Sequence, residues 1–286
     1  MKEGLVIKKL ANKFWVKSDD FTYVCSPKGT LKANGIFVGD RVLIDEKLSH
    51  LIKVLDRISL LIRPPVANIE QIIIVISPLP KPDFTIVDKL ILFCFAYGIK
   101  PILCINKLDL ADKKFLEYIQ FAYKDVLNII KVCAKTGDVR ELKAVLKNKI
   151  SAFAGQSAVG KSALTKIILP NAEVEIGELS KIERGKHTTR HTELFELDKN
   201  SYLADTSGFT SLDERLLPIS YFELPAYYPD YLAYLEDCKY RSCTHTNENK
   251  CAVKDAVEAK LLDKGRYDRY KTIFEVLKKE WQKNHG

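Results

Sequence analysis

A chain of 286 residues, 47% apolar and 29% charged, is long enough for two or three domains with real cores, and it carries no low-complexity tract or internal repeat. Its most apolar runs, residues 72–77 and 90–99, fall well short of the roughly 20 residues that span a bilayer, and the start MKEGLVIKKL sets lysines around an apolar piece too short for a signal peptide, so a cytoplasmic chain with no membrane partner is expected. The formal charge of +8 is uneven: residues 1–63 hold 12 basic against 7 acidic side chains, 64–215 hold 21 against 19, and 216–286 hold 12 against 11. A polyanionic partner, RNA foremost, and a merely soluble basic protein are equally good readings of that charge.

Residues 3–58 read as about five short strands, GLVIKK, KFWVKS, FTYVCS, VGDRVLID and HLIKVL, separated by Asn, Asp and Gly turns. That spacing predicts a small barrel of the oligonucleotide/oligosaccharide-binding kind over residues 1–63. Phe14, Trp15, Phe21, Tyr23 and Phe37 could supply a stacking face for RNA, although most of them should be core. Arg63-Pro64-Pro65 reads as a linker. Strands and helices then alternate: strands at 72–77, 101–106, 128–133 and 150–155, helices at 84–97, 111–124, 139–147 and from Lys161, and two close strands at 191–198 and 201–205. This predicts an α/β domain over 64–215 with a mostly parallel sheet. From residue 216 an aromatic-rich irregular stretch leads to a Cys/His cluster. Helices at 252–262 and 267–283 follow, with Gly265 as the break between them. Cys25, Cys94, Cys104 and Cys133 sit singly in apolar runs, as reduced core thiols do.

The strongest motif is GQSAVGKS, with a strand before it and a helix after it. Main-chain amides of Gly155, Gln156, Ser157, Ala158, Val159 and Gly160 would wrap a nucleotide's phosphates, and Ala163 lies in the helix turn behind them. Lys161 would neutralise β- and γ-phosphate oxygens, and Ser162 would ligate Mg²⁺. Asn106-Lys107-Leu108-Asp109 matches N-K-x-D at a strand end, where ligands bind in open α/β sheets. The Asp109 carboxylate can accept from N1–H and the 2-amino group of guanine, a donor pair that adenine lacks. Cys133-Ala134-Lys135 resembles the S-A-K loop that presents an amide to guanine O6. Asp205-Thr206-Ser207-Gly208 resembles D-x-x-G, with Asp205 on Mg²⁺ and the Gly208 amide on the γ-phosphate. The stretch GKHTTR before it reads as a switch loop in which Thr189 completes the Mg²⁺ shell. GTP and GDP are therefore the expected ligands.

These motifs occur in a shifted order, with N-K-x-D and C-A-K ahead of the phosphate loop. A cyclic permutation allows this when the usual termini lie close together. The shift puts both switch elements next to the downstream domain, and we expect nucleotide state to be coupled to that tail. There, Cys238, Cys243, His245 and Cys251 crowd into 14 residues. Three thiolates and an imidazole suit a closed, structural Zn²⁺ site.

Together these residues resemble the RsgA (YjeQ/YloQ) family of circularly permuted GTPases that act with the small ribosomal subunit. VGDRVLID, RPPVANIEQ, NKLD, GQSAVGKS, GKHTTRH, DTSGF, the Cys/His spacing and RYDRYKTIFEVL carry the likeness. The resemblance implies three parts: an N-terminal barrel, a central permuted phosphate-loop GTPase domain, and a C-terminal zinc-binding helical domain over 216–286. It also implies GTP hydrolysis stimulated by the ribosome, late in small-subunit maturation, with the subunit and its rRNA as partners and the chain acting as a monomer. Three departures are Ala158 for a frequent Gly, Ser207 for Pro and Cys133 for Ser; Ala158 matters only if that position needs positive φ. Phe209 stands where Ras-like enzymes place a water-positioning Gln, so intrinsic turnover should be slow. His187 is the best replacement, beside Lys161 and Gly208 as catalytic groups. A nucleotide-gated RNA switch with hydrolysis as a timer uses the same motifs. A small-molecule GTP-dependent enzyme is a third reading, and it gives no reason for the basic barrel.

Overall fold

The computed structural model describes residues 1–29, 31–62, 65–170, 193–204 and 217–285. Five N-terminal strands, β1 (Lys2–Leu10), β2 (Lys13–Ser18), β3 (Phe21–Pro27), β4 (Arg41–Asp45) and β5 (His50–Val54), close a barrel in the order β1-β2-β3-β5-β4. The alternation of KFWVKS drives this, because Phe14 and Val16 point inward onto Val6, Cys25, Val42, Ile44 and Leu51. Closure leaves no long unpaired edge. Phe14 is therefore core and unavailable for stacking, whereas Phe21 is 65% exposed. In β1 the run Leu5-Val6-Ile7 serves two cores. Val6 faces the barrel interior, and Leu5 and Ile7 pack outward on the central domain.

Of the expected linker, Arg63 and Pro64 lie outside the described residues, and Pro65 belongs to a strand. β6 (Leu60–Ile62) pairs with β7 (Pro65–Ala67), and Pro65 lies opposite Ile62. The Asn68 side chain donates to the Gly39 carbonyl at 2.8 Å and accepts from the Ile58 amide at 2.9 Å. Gly39 has φ +89°, and a Cβ there would stand 2.0 Å from the Ala67 carbonyl oxygen, so only glycine lets the two segments meet.

The central sheet runs β10-β9-β8-β11-β13-β12. Its strands are β8 (Gln71–Ile76), β9 (Lys100–Ile105), β10 (Asn128–Lys131), β11 (Ile150–Ala154), β12 (Leu194–Asp198) and β13 (Ser201–Ala204). Every neighbouring pair is parallel except β12–β13. The unbroken apolar run in β8 follows from burial on both faces. Ile72, Ile74 and Ile76 pack under α1 (Phe84–Ala96) and α2 (Lys113–Tyr123), while Ile73 and Val75 pack under α3 (Arg140–Leu146) and α4 (Lys161–Ile168). Asp83 and Asp112 cap α1 and α2 by accepting from the amides of Thr85 and Phe115.

In the tail, short 3-10 turns at Leu224–Tyr227 and Pro229–Tyr234 precede α5 (Ala252–Glu258) and α6 (Lys264–His285). Gly265 is not the break between helices. It is the second residue of α6, and the chain turns at 259–263, where Lys260 takes φ +60° and Asp263 accepts from the Arg266 amide at 2.7 Å. The tail is clamped to the central domain through a buried charge cluster. Asp88 of α1 accepts from Arg266 at 2.5 Å, from Arg269, and from the Tyr123 hydroxyl at 3.0 Å, while Asp230 takes the Arg266 Nε at 3.0 Å. Among the described residues no helix is long and apolar enough to cross a membrane.

Candidate functional site

The loops after β8, β9 and β11, with Cys133–Lys135 beyond β10, converge at the carboxyl edge of the parallel strands. The phosphate loop has its shape because two of its residues have no side chain. Gly155, at φ +127°, passes so close to β8 that a Cβ would sit 2.3 Å from the Val75 carbonyl oxygen. Gly160, at φ +100°, would meet the Asn106 amide nitrogen at 2.3 Å. Val159 is buried and anchors the loop from below, while Ser157, Ala158, Ser162 and Ala163 are exposed. Lys161 opens α4, and its ammonium donates to the carbonyls of Gly155 and Gln156, both at 2.7 Å. Burial lowers its pKa.

Ala158 has φ +64°. The position does need the left-handed region, which costs a side chain about 1 kcal/mol that glycine avoids. Ala158→Gly should stabilise the loop and tighten nucleotide binding by up to about fivefold; isothermal calorimetry showing equal or weaker binding contradicts this.

The base-reading motif is built by cross-links between loops. Asn106, 1% exposed, donates to the Val159 carbonyl at 2.9 Å and accepts from the Ala134 amide at 3.1 Å. Both ends of its side chain are spent on the protein, so it ties the N-K-x-D strand to the phosphate loop and to the C-A-K loop. Lys107, at φ +57°, donates to the carbonyls of Leu79 and Ala158 at 2.7 and 2.9 Å. Asp109 accepts from the Cys133 thiol at 3.3 Å on one oxygen and from Lys135 at 3.3 Å on the other. These contacts, the thiol first, hold its carboxyl below the usual range. Gln156 was expected to serve the nucleotide through its backbone. Its side chain also accepts from the Asp83 amide at 2.8 Å and donates to the Lys81 carbonyl at 3.1 Å, fastening the start of α1 to the phosphate loop. The bare motif gives no signal for that contact. His187, Thr189, Asp205 and Gly208 lie outside the described residues. In sequence, Asp205 follows directly on β13.

The second cluster is in the tail. Ligand atoms of Cys238, Cys243, His245 and Cys251 all lie within 4.8 Å of one another. His245 Nδ1 is 3.3 Å from Cys251 Sγ and 3.7 Å from Cys238 Sγ. The surrounding loop is stiffened by Glu248, which accepts from the amides of Thr244 and Thr246 and from the Thr244 hydroxyl. Burial opposes ionisation of Glu248, yet these bonds draw its carboxyl down to about 2. The Tyr267 and Tyr270 hydroxyls of α6 donate to the carbonyls of His245 and Thr244. Four soft donors at this spacing fit one tetrahedral cation.

Known proteins resemble this chain over nearly its whole length. A family profile described as RsgA GTPase matches residues 54–215. The small ribosomal subunit biogenesis GTPase RsgA of Ruminiclostridium cellulolyticum is 39% identical, covering 97% of this chain and 94% of its own. That of Caldanaerobacter subterraneus subsp. tengcongensis is 36% identical over 99% and 98%. Among solved structures, YjeQ from Thermotoga maritima matches with a TM-score of 0.81 and 32% identity over 96% of this chain and 98% of that one. YloQ, described as a circularly permuted GTPase, matches with a TM-score of 0.79 and 31% identity over 97% and 95%.

Proposed function

Since this chain belongs to the RsgA family of GTPases, we propose that it hydrolyses GTP to GDP and phosphate on the small ribosomal subunit, late in the subunit's maturation. One observation carries the reading: Asn106 fastens the guanine-reading strand to the phosphate loop, with Asp109 held as an anion beside it. The three functional units are taken as the barrel (1–63), the nucleotide domain (64–215) and the tail (216–286).

Main-chain amides of 155–160 and the Lys161 ammonium would hold the phosphates, and the Asp109 carboxylate would read the guanine edge. Ser162, Thr189 and Asp205 would hold Mg²⁺, which supplies charge neutralisation for phosphoryl transfer when bound. The Gly208 amide would meet the γ-phosphate. Asn106 and Lys107 act by placing loops, since their side chains are engaged with the protein. Cys238, Cys243, His245 and Cys251 would hold one structural Zn²⁺. The basic, closed barrel with its exposed Phe21 supplies a surface for rRNA. With Phe209 unable to orient water, His187 is left to position the nucleophile.

GTP turnover measured with and without purified small subunits tests this. The wild type should be stimulated at least about tenfold, and His187→Ala should keep its GTP affinity while losing most of that rise. A wild type indifferent to the subunit defeats the reading, and an undiminished His187→Ala variant removes His187 from the mechanism.

A further inference from the structure

Besides the junction at Gly39 and Asn68, the barrel meets the nucleotide domain at β12. Lys8 of β1 forms an isolated antiparallel backbone bridge with Glu193, the residue before β12, and its ammonium pairs with the Glu193 carboxylate at 2.9 Å. Lys17 of β2 pairs with Glu196 of β12, also at 2.9 Å. Leu5 and Ile7, on the outer side of β1, pack on the core that contains Leu194 and Tyr202 of the same hairpin. Beside these contacts the interface opens into a charged cleft of about 550 Å³, lined in part by Glu3, Arg41, Glu70 and Asn148. β12 is therefore one of two attachments of the barrel, and the one that carries its ion pairs to the central sheet.

Among the described residues, β12 is the edge strand of the central sheet and pairs there with β13 alone. The register Leu194↔Ala204 puts the start of β12 beside the end of β13. In sequence, the chain entering β12 carries GKHTTRH and the chain leaving β13 carries DTSGF. β13 in turn pairs with β11, which leads into the phosphate loop. The junction with the barrel thus falls on the hairpin that, in sequence, lies between the two switch motifs.

We propose that Lys8 and Lys17, through Glu193 and Glu196, are positioning residues that carry barrel engagement with RNA to the hydrolytic loops. The inference rests on the ribosome-stimulated reading above. None of the four residues belongs to the nucleotide motifs. Partly exposed ion pairs of this kind add little to stability, so their charges can be exchanged without unfolding the domain. Coupling between two sites is a difference of free energies, and it requires a physical link that both sites bias.

The test is a charge swap read as the ratio of GTP turnover with and without small subunits. Glu193→Lys with Glu196→Lys sets two repulsions at the junction and leaves the barrel itself unaltered. Its intrinsic turnover, GTP affinity and melting temperature should stay near wild type, while the stimulation ratio falls about fivefold or more. Adding Lys8→Glu and Lys17→Glu should restore the ratio to within about twofold of wild type. The neutral pair Glu193→Gln with Glu196→Gln should give a smaller loss in the same direction. An undiminished ratio in the double-lysine variant, or a swap that fails to restore it, overturns the coupling. Absence of stimulation in the wild type instead defeats the functional reading beneath it.

Discussion

Asp109→Asn should lower GTP affinity about 100-fold or more and shift preference toward xanthosine triphosphate. The carboxylate can accept from both N1–H and the 2-amino group of guanine, and an amide can accept only one of those bonds while turning a donor toward the other. A site built to satisfy polar groups rejects a mismatched partner by large factors, because buried groups are left unpaired. Xanthine carries an oxygen at that carbon, and the amide donor matches it. The contacts that fix Asp109 come from the Cys133 thiol on one oxygen and from Lys135 on the other, and asparagine keeps an acceptor for only one of them. Calorimetry with both nucleotides decides the matter; GTP binding unchanged in the variant shows that Asp109 does not read the base.

Removal of zinc should unfold much of the tail. Purified protein should contain one zinc per chain, and a strong chelator, or Cys251→Ser, should abolish the near-ultraviolet dichroism of Tyr228, Tyr231, Tyr267 and Tyr270. These rings pack in one core with Cys243 and Cys251. Structural zinc supplies roughly 10 kcal/mol of apparent binding free energy in small domains, more than the aromatic packing alone can replace. His245 and Lys250 adopt φ +56° and +58° within the ligand loop, a cost that a bound cation compensates. Metal-free protein with the same dichroism and melting temperature rules out the structural role.

Much of this architecture was legible in the chain. β8 announced itself as a strand buried on both faces, and the nucleotide motifs were readable because each needs only a few residues at fixed spacing. Other elements were opaque for physical reasons. Pro65, expected in a linker, stands in a strand, because an edge position in a two-stranded ribbon needs no donor there. Gly265 read as a break, but the first turn of a helix tolerates glycine, and the signal that mattered was Asp263 three residues before Arg266. Asn106 reads as a ligand contact, and no local pattern shows that its amide also bonds two other loops. His187, Thr189, Asp205 and Gly208 remain assignments made from the sequence.

The carboxylate of Asp88 finds its arginine partners 178 and 181 positions further along the chain. During synthesis the nucleotide-binding half is therefore made long before the groups that neutralise its innermost charge. A product cut short before residue 266 lacks both arginines and most of the helix that lays them on Asp88, so the tail cannot dock on α1. Only a polypeptide translated past residue 269 can close this charge cluster.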